Sequence, residues 1–359
     1  MDVEERINLV KQVGEEIITE EELRQLFETK QEPIVYDGFE PSGKIHIAQG
    51  LLRAININKI IKAKTKFKLL IADWHAWANN KFSGNMEKIS LAGNYMVEVW
   101  KACDLDFDKV EIVYASSLVE KKPYWEKVMK IATTNTLNRI IRCSQIMGRT
   151  ESETLYASQI LYPCMQAADI FELNVDIAQL GMDQRKVNML AREVGEKLGY
   201  WKPIAVHHHM LLGLIPINTS AEGIERAIQL KMSKSKPDSA IFMTDTKEEV
   251  DRKINKAYCP EKIVKDNPIL EYCKYIIFEK FREVKIERPQ KFGGNIIYFS
   301  YNDLEKDFVN GNLHPLDLKK AVAWHVNELL EPIRKHFEKN QKAKKLLEKI
   351  SYSDREKEV

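Results

Sequence analysis

Apolar positions along this chain follow two rhythms that alternate up to about residue 240. Short runs dominated by apolar residues occur at Pro33–Asp37, Phe67–Asp73, Val110–Tyr114, Val175–Ala178 and Ile204–Val206. Runs of this kind suit strands covered on both faces. Between them apolar residues fall three and four apart, the spacing of one helix face. The first thirty residues read as helical. Thr19-Glu20-Glu21-Glu22 forms a capping box ahead of Leu23, Leu26 and Phe27, and a later helix carries Ile47, Leu51, Ile55 and Ile60. Strands alternating with helices predict an α/β fold with a doubly wound parallel sheet. Ligands in such sheets sit at the carboxyl ends of the strands, near the point where strand order reverses. The loop after Tyr36, the segment after Asp73 and the region after Val206 are therefore expected to converge on one crevice. Beyond residue 240 strand signals fade, and helices are predicted over 247–257, 269–282 and 317–337. A boundary near 236–245 divides the chain into residues 1–238 and a mainly helical 239–359.

Composition narrows the class. A length of 359 residues leaves room for two cores. With 44% apolar and 30% charged residues the chain reads as an ordinary globular protein. No apolar run approaches the roughly 18 residues of a membrane span. The acidic start, Met1-Asp2-Val3-Glu4-Glu5-Arg6, lacks a secretory layout. Cys103, Cys143, Cys164, Cys259 and Cys273 are scattered and form no CxxC pair. That argues against a disulfide framework or zinc knuckle and for a reducing, cytoplasmic compartment. The net charge of +2 announces no nucleic-acid partner. Charge is uneven, however. From Lys121 to Arg149 the only acid is Glu126. Such a stretch suits phosphates, although a solvated helix face is the commoner reading.

Three segments carry candidate chemistry. The first, Phe39-Glu-Pro-Ser-Gly-Lys-Ile-His-Ile-Ala-Gln49, lies between a strand and a helix. Gly38 and Gly43 let the backbone turn tightly against a ligand. His46 is placed near the amino end of the helix, where free N–H groups favour an anion such as a triphosphate. The second, Lys231-Met-Ser-Lys-Ser235, sets two lysines three apart among small hydroxyl residues. Such cations can follow phosphate oxygens as charge moves onto a leaving pyrophosphate. Alone it reads as a basic linker; paired with the His46 turn, the functional reading overtakes that. The third is the Tyr162–Asp169 stretch, where Tyr162, Gln166 and Asp169 share one helix face among apolar neighbours. Buried polar groups need partners, which a bound amino acid would supply.

His46-Ile-Ala-Gln49 resembles the HIGH signature of class I aminoacyl-tRNA synthetases, and Lys231-Met-Ser-Lys-Ser235 resembles their KMSKS signature. The departure is at Ala48 and Gln49, where the second histidine is absent; Gln49 can hydrogen-bond but carries no charge. Over most of its length the chain is similar to tyrosyl-tRNA synthetases of the archaeal and eukaryotic branch. That resemblance implies a Rossmann-like catalytic domain followed by a helical anticodon-binding domain, with a dimer-forming insertion at about 116–160. It implies that Tyr36 and Asp169 hold the phenolic hydroxyl of L-tyrosine, that Tyr162 and Gln166 hold its ammonium group, and that Gln184 lies near its carboxylate. Leu70, Ala72 and His75 would line the ring pocket. ATP would meet Gly38, Glu40, Gly43, His46, Gln49, Gly50, Met232, Ser233 and Lys234. His46, Gln49, Lys231 and Lys234 would be catalytic. Arg185 and Lys186 would meet the acceptor end of tRNA(Tyr), and Phe292 and Asp317 its anticodon. Mg2+ would travel with ATP, and no protein-held metal is expected.

The nearest rival is a tryptophanyl-tRNA synthetase. An indole N–H needs one acceptor, whereas the Tyr36 and Asp169 pair suits a hydroxyl that donates and accepts. A small-molecule adenylyltransferase would lack the Phe292 and Asp317 segments, and a non-catalytic relative would be expected to lose His46 or the lysines. The role of His207, His208 and His209 stays open: their place suggests the nucleotide crevice, and a metal site is less favoured because adjacent strand residues face opposite ways.

Overall fold

The computed structural model describes residues 1–143, 147, 155–216, 219–232, 234 and 236–355. Six strands form one sheet: β1 (Gly14–Ile18), β2 (Ile34–Phe39), β3 (Lys66–Ile71), β4 (Val110–Tyr114), β5 (Ile177–Gly181) and β6 (Ile204–His208). Their spatial order is β1-β6-β5-β2-β3-β4. The pairs β2–β3, β3–β4, β2–β5 and β5–β6 are parallel. From β2 the chain winds outward through β3 to β4, and from β5 it winds the other way to β6. The reversal lies between β2 and β5. The sheet is thus doubly wound and Rossmann-like, as the strand-helix alternation predicts.

Both faces of the sheet are covered, which is why its strands read as continuous apolar runs. Val35, Phe39, Leu69, Ile71, Ile177 and Val206 enter one core. Tyr36, Leu70, Ala178 and Leu180 point the opposite way into a second, packed against Tyr124, Val128, Ala167 and Ile170. The first core continues without a break into the C-terminal helices through Val250, Ile254, Tyr272, Leu318, Val326 and Phe337.

Several local expectations need correction. The first thirty residues are not wholly helical: helices Val3–Lys11 and Glu20–Thr29 flank β1, an antiparallel edge strand on β6. Its partner lies some 190 residues away, so periodicity within residues 1–30 carries no trace of it. The helix expected to carry Ile47 starts only after it, with His46 just ahead of the amino end. His46 forms an isolated bridge with Phe242, and the helix begins at Leu51 behind Gly50. Where the chain enters that helix, a Cβ at Gly50 would lie 2.3 Å from Met243 Sδ. Gly43 adopts φ 121°, a left-handed conformation that favours glycine. The segment after the Lys231 loop is no exposed linker. Ile47 N donates to Ile241 O (2.8 Å) and Met243 N to Ile45 O (3.0 Å), binding it to the first motif.

Beyond residue 240 the chain is mainly helical, with helices Lys247–Lys256, Pro268–Tyr272, Phe278–Lys280, Tyr301–Asn310, Pro315–Lys339 and Gln341–Arg355. The expected 269–282 helix is interrupted by a π-helical turn at Cys273–Ile277. Strands have not vanished here: β7 (Val284–Ile286) and β8 (Ile296–Tyr298) form an antiparallel hairpin, too short for its alternation to register.

Candidate active site

The carboxyl ends of β2 and β5, on either side of the strand-order reversal, open into a cavity of about 280 Å³. The three segments expected to converge do so: Tyr36 to Ser42, Ala72 with His75, and His208 to Leu211 all line it. At one end the walls are Tyr36, Leu70, Ala72 and His75 from the sheet side, with Tyr162, Gln166 and Asp169 from the Ala157–Glu172 helix. The helix brings those three together because they fall four and three residues apart on its cavity side. Asp169 is fully buried. Its Oδ1 accepts from Tyr124 Oη at 2.9 Å, and its Oδ2 lies 3.0 Å from His75 Nε2 without hydrogen-bond alignment. Burial opposes a charge on His75, but the Asp169 carboxylate outweighs it and raises the imidazole pKa. Burial, then the Asp169 charge, pushes the Tyr36 phenol well above its ordinary value. Tyr36 is therefore a neutral hydroxyl. Tyr36 Oη and Asp169 Oδ2 are buried without a hydrogen-bond partner. Gln166 Nε2 donates to Gln184 Oε1 (3.0 Å), and Tyr162 Oη to Glu40 Oε2 (3.2 Å).

The other end is lined by Gly38, Glu40, His46, Gln49, Lys231 and Met232. His46 Nδ1 and Gln49 Oε1 are buried and unpartnered. Burial, then Lys234, Lys231 and Arg53, holds the His46 pKa well below the usual histidine value. The imidazole is therefore neutral near pH 7. Lys231 Nζ lies 2.8 Å from Asp183 Oδ2, just after β5, and Lys234 Nζ donates to Ser42 Oγ of the first motif at 3.0 Å. Lys234, Gly43 and Gly50 are set back from the cavity lining itself. Ser233 lies outside the described residues.

Sequence reasoning missed several cavity groups. Asp37 and Arg53 form a buried ion pair (3.2 Å) in the cavity wall. Burial pushes the Asp37 carboxyl up to about 6 despite the guanidinium beside it. Asp183 steadies Lys231; His208, which the sequence does point to the crevice, has its Nδ1 2.6 Å from Gln179 Nε2. A charged residue inside the apolar runs Ile34–Phe39 and Leu51–Lys62 was the available signal for Asp37 and Arg53. Tyr124, which orients Asp169, left none.

Comparison with known proteins decides the family. Residues 28–331 match the family described as tRNA synthetases class I (W and Y). Tyrosine–tRNA ligase 1, cytoplasmic, of Arabidopsis thaliana is 52% identical over 352 residues, covering 97% of this chain and 89% of that protein. The tyrosine–tRNA ligase of Saccharolobus islandicus is 43% identical over 359 residues, covering 98% and 99%. The tyrosyl-tRNA synthetase of Pyrococcus horikoshii, solved with L-tyrosine, superposes with a TM-score of 0.91 at 43% identity, covering 97% of this chain and all of that one. The chain belongs to the tyrosyl-tRNA synthetases of the archaeal and eukaryotic type. It is a class I ligase that joins tyrosine to tRNA using ATP. A tryptophanyl-tRNA synthetase of Plasmodium falciparum shares the fold alone, at 18% identity and a TM-score of 0.69.

The remaining expected residues are dispersed. Arg185 Nε is held by both oxygens of Glu16 (3.0 and 2.8 Å), and Lys186 follows it in the Arg185–Lys197 helix. Phe292, 60% exposed, lies in the turn between β7 and β8. Asp317 lies in the first turn of the Pro315–Lys339 helix. Arg288 links the hairpin turn to the loop ahead of that helix, with Nε donating to Gly294 O and Nη1 to Asn312 O. The basic stretch is not a bare phosphate-facing surface. Lys121 and Lys127 pair with Glu172, Lys122 with Glu126, and Arg139 with Glu193; Arg149 lies outside the described residues. The three histidines have separate partners. His207 meets Glu16 and Asn188, His208 meets Gln179, and His209 meets Glu15 and Glu271. Among the described residues no group of three or more His, Cys, Asp or Glu is arranged to hold a metal.

Proposed function

We propose that the cavity binds L-tyrosine at the Tyr36–Asp169 end and ATP at the His46–Lys231 end, with the reacting carboxylate and α-phosphate between them. The observation that carries this reading is the set of buried polar atoms without a hydrogen bond: Tyr36 Oη and Asp169 Oδ2 at one end, His46 Nδ1 and Gln49 Oε1 at the other. Buried polar groups are costly without partners, and a phenolic hydroxyl that accepts from Tyr36 and donates to Asp169 satisfies the first pair at once. Phenylalanine would leave both unsatisfied, a rule for which tyrosyl-tRNA synthetases are themselves the standard example. An indole N–H would satisfy only Asp169. Tyr162 and Gln166 would take the substrate's ammonium group, Gln184 its carboxylate, and Leu70, Ala72 and His75 its ring.

In the first step the tyrosine carboxylate attacks the α-phosphate in line and pyrophosphate leaves. Catalysis is positioning plus stabilisation of the departing charge. The neutral His46 would donate a hydrogen bond, Gln49 would assist, and Lys231 and Lys234 would supply positive charge. Gly38, Glu40, Gly43, Gly50, Met232 and Ser233 would complete the ATP site. Mg2+ would enter with ATP as part of the substrate. In the second step a ribose hydroxyl of tRNA(Tyr) attacks the mixed anhydride. Arg185 and Lys186 would meet the acceptor end, which requires Arg185 to exchange its Glu16 partner for phosphate. Phe292 and Asp317 would read the anticodon, in a unit spanning 239–359 that follows a catalytic unit spanning 1–238.

Two copies would associate through the 116–160 region. Supporting this are exposed Trp77, Met129, Leu137 and Tyr156, and a groove of about 550 Å³ lined by Trp74, Trp77, Trp125 and Leu161. The Arabidopsis protein's cytoplasmic designation supports a cytoplasmic location. No helix among the described residues is long and apolar enough to cross a membrane.

The deciding experiment is ATP–pyrophosphate exchange with tyrosine, tryptophan and phenylalanine in parallel. Exchange with tyrosine alone is expected; exchange with tryptophan, or with none of the three, would overturn the pocket reading.

A further inference from the structure

The C-terminal helices touch the ATP end of the cavity at a point that the two signature motifs do not explain. Lys231 and Met232 are held by the strand-like segment 211–213: Leu212 bridges to Lys231, Met232 N donates to Leu211 O and Gly213 N to Leu230 O (2.7 Å). That segment is in turn gripped from the C-terminal side. Glu271 Oε2 accepts from Leu212 N at 2.9 Å and lies 3.1 Å from His209 Nε2. The His209 ring stacks on Tyr275 at 4.3 Å and 13°. One residue on from Glu271, the fully buried Tyr272 points its hydroxyl at Met232 Sδ, 3.8 Å away. The helix then passes into the π-helical turn at Cys273–Ile277, a feature often found at functional sites. It ends three residues before β7, the strand leading to Phe292.

We propose that Glu271 and Tyr272 are positioning residues for amino-acid activation: they fix the 211–213 segment and Met232, and so set where Lys231 and Lys234 meet the pyrophosphate. The inference rests on the role proposed above for those lysines. Tyrosine binds against the other face of the sheet, among Tyr36, Leu70 and Asp169, so its affinity is independent of this grip. A small displacement of a charged group at the reacting centre lowers turnover steeply.

The test is pre-steady-state pyrophosphate release by the full-length chain. Glu271→Ala is expected to lower the activation rate by about 10- to 100-fold with the KM for tyrosine within about twofold. Glu271→Gln keeps an acceptor for Leu212 N and is expected to recover most of that loss. Tyr272→Phe, which removes one hydroxyl, should lower the rate by several-fold. A double-mutant cycle of Glu271→Ala with Lys231→Ala should be strongly non-additive, because both act through one group. Independent, multiplying losses would mean that Glu271 merely supports the fold and would overturn the proposal. So would an unchanged rate in Glu271→Ala while Lys231→Ala is crippled. An unaffected Lys231→Ala would sink the lysine assignment and this inference with it.

Discussion

Replacing Asp169 by asparagine isolates the charge at the bottom of the tyrosine pocket. The substitution is nearly isosteric, and the asparagine carbonyl still accepts from Tyr124 Oη, so the local packing is expected to survive. What is lost is the carboxylate oxygen that lies beside Tyr36 and 3.0 Å from His75 Nε2, with no aligned hydrogen bond. A hydrogen bond to a charged group is worth about 1.5–3 kcal/mol, and about 1.4 kcal/mol corresponds to tenfold. The kcat/KM for tyrosine in pyrophosphate exchange should therefore fall by roughly 10- to 150-fold. The KM for ATP should stay within about twofold, because ATP is assigned to the His46 end. Discrimination against phenylalanine should narrow by the same factor, since phenylalanine never used that oxygen. Tyr36→Phe removes a neutral partner and should cost less, roughly 2- to 12-fold. A fall of less than threefold in Asp169→Asn, or an equal rise in the KM for ATP, would refute the assignment of this end to the phenol.

His209 has its pKa raised to about 9, burial opposing the shift and Glu15 and Glu271 producing it. A raised histidine stabilises the fold fully below its unfolded value near 6.5 and ceases to do so as pH climbs through about 9. Urea unfolding should show stability falling between those limits, and His209→Gln should flatten the fall; an identical slope in both proteins would exclude the clamp. Phe292→Ala should leave adenylate formation intact while tRNA charging drops by about 10-fold or more, the value of one lost base stack. Equal loss in both steps would mean that Phe292 serves the fold. Trp77→Arg should shift the protein from dimer to monomer in sedimentation; a dimer that persists would move the interface elsewhere.

Much of the fold was legible locally. The runs that became β2, β3 and β4 matched within a residue or two, because strands covered on both faces are mostly apolar. The Ala157–Glu172 helix presented Tyr162, Gln166 and Asp169 together because helical spacing alone places them on one side. Both signature motifs were legible as short runs of linked chemistry. Other features were invisible for a common reason: they are made by residues far apart in sequence. β1 is a strand because β6 offers its edge, not because of any rhythm in Gly14–Ile18. Met243, some 200 residues later, packs so closely on Gly50 that a Cβ there would lie 2.3 Å from its sulfur. In the basic run, Lys121, Lys127 and Arg139 are paired because Glu172 and Glu193 arrive from other helices. Asp37 meets Arg53, Tyr124 orients Asp169, and Glu271 grips Leu212 only after the sheet has wound both ways and the C-terminal helices have closed on it. The chain's own periodicity determined which residues are buried and which chemical groups are available. Tertiary packing alone decided which buried groups are paired and which are left open, because pairing depends on distances that no local spacing encodes.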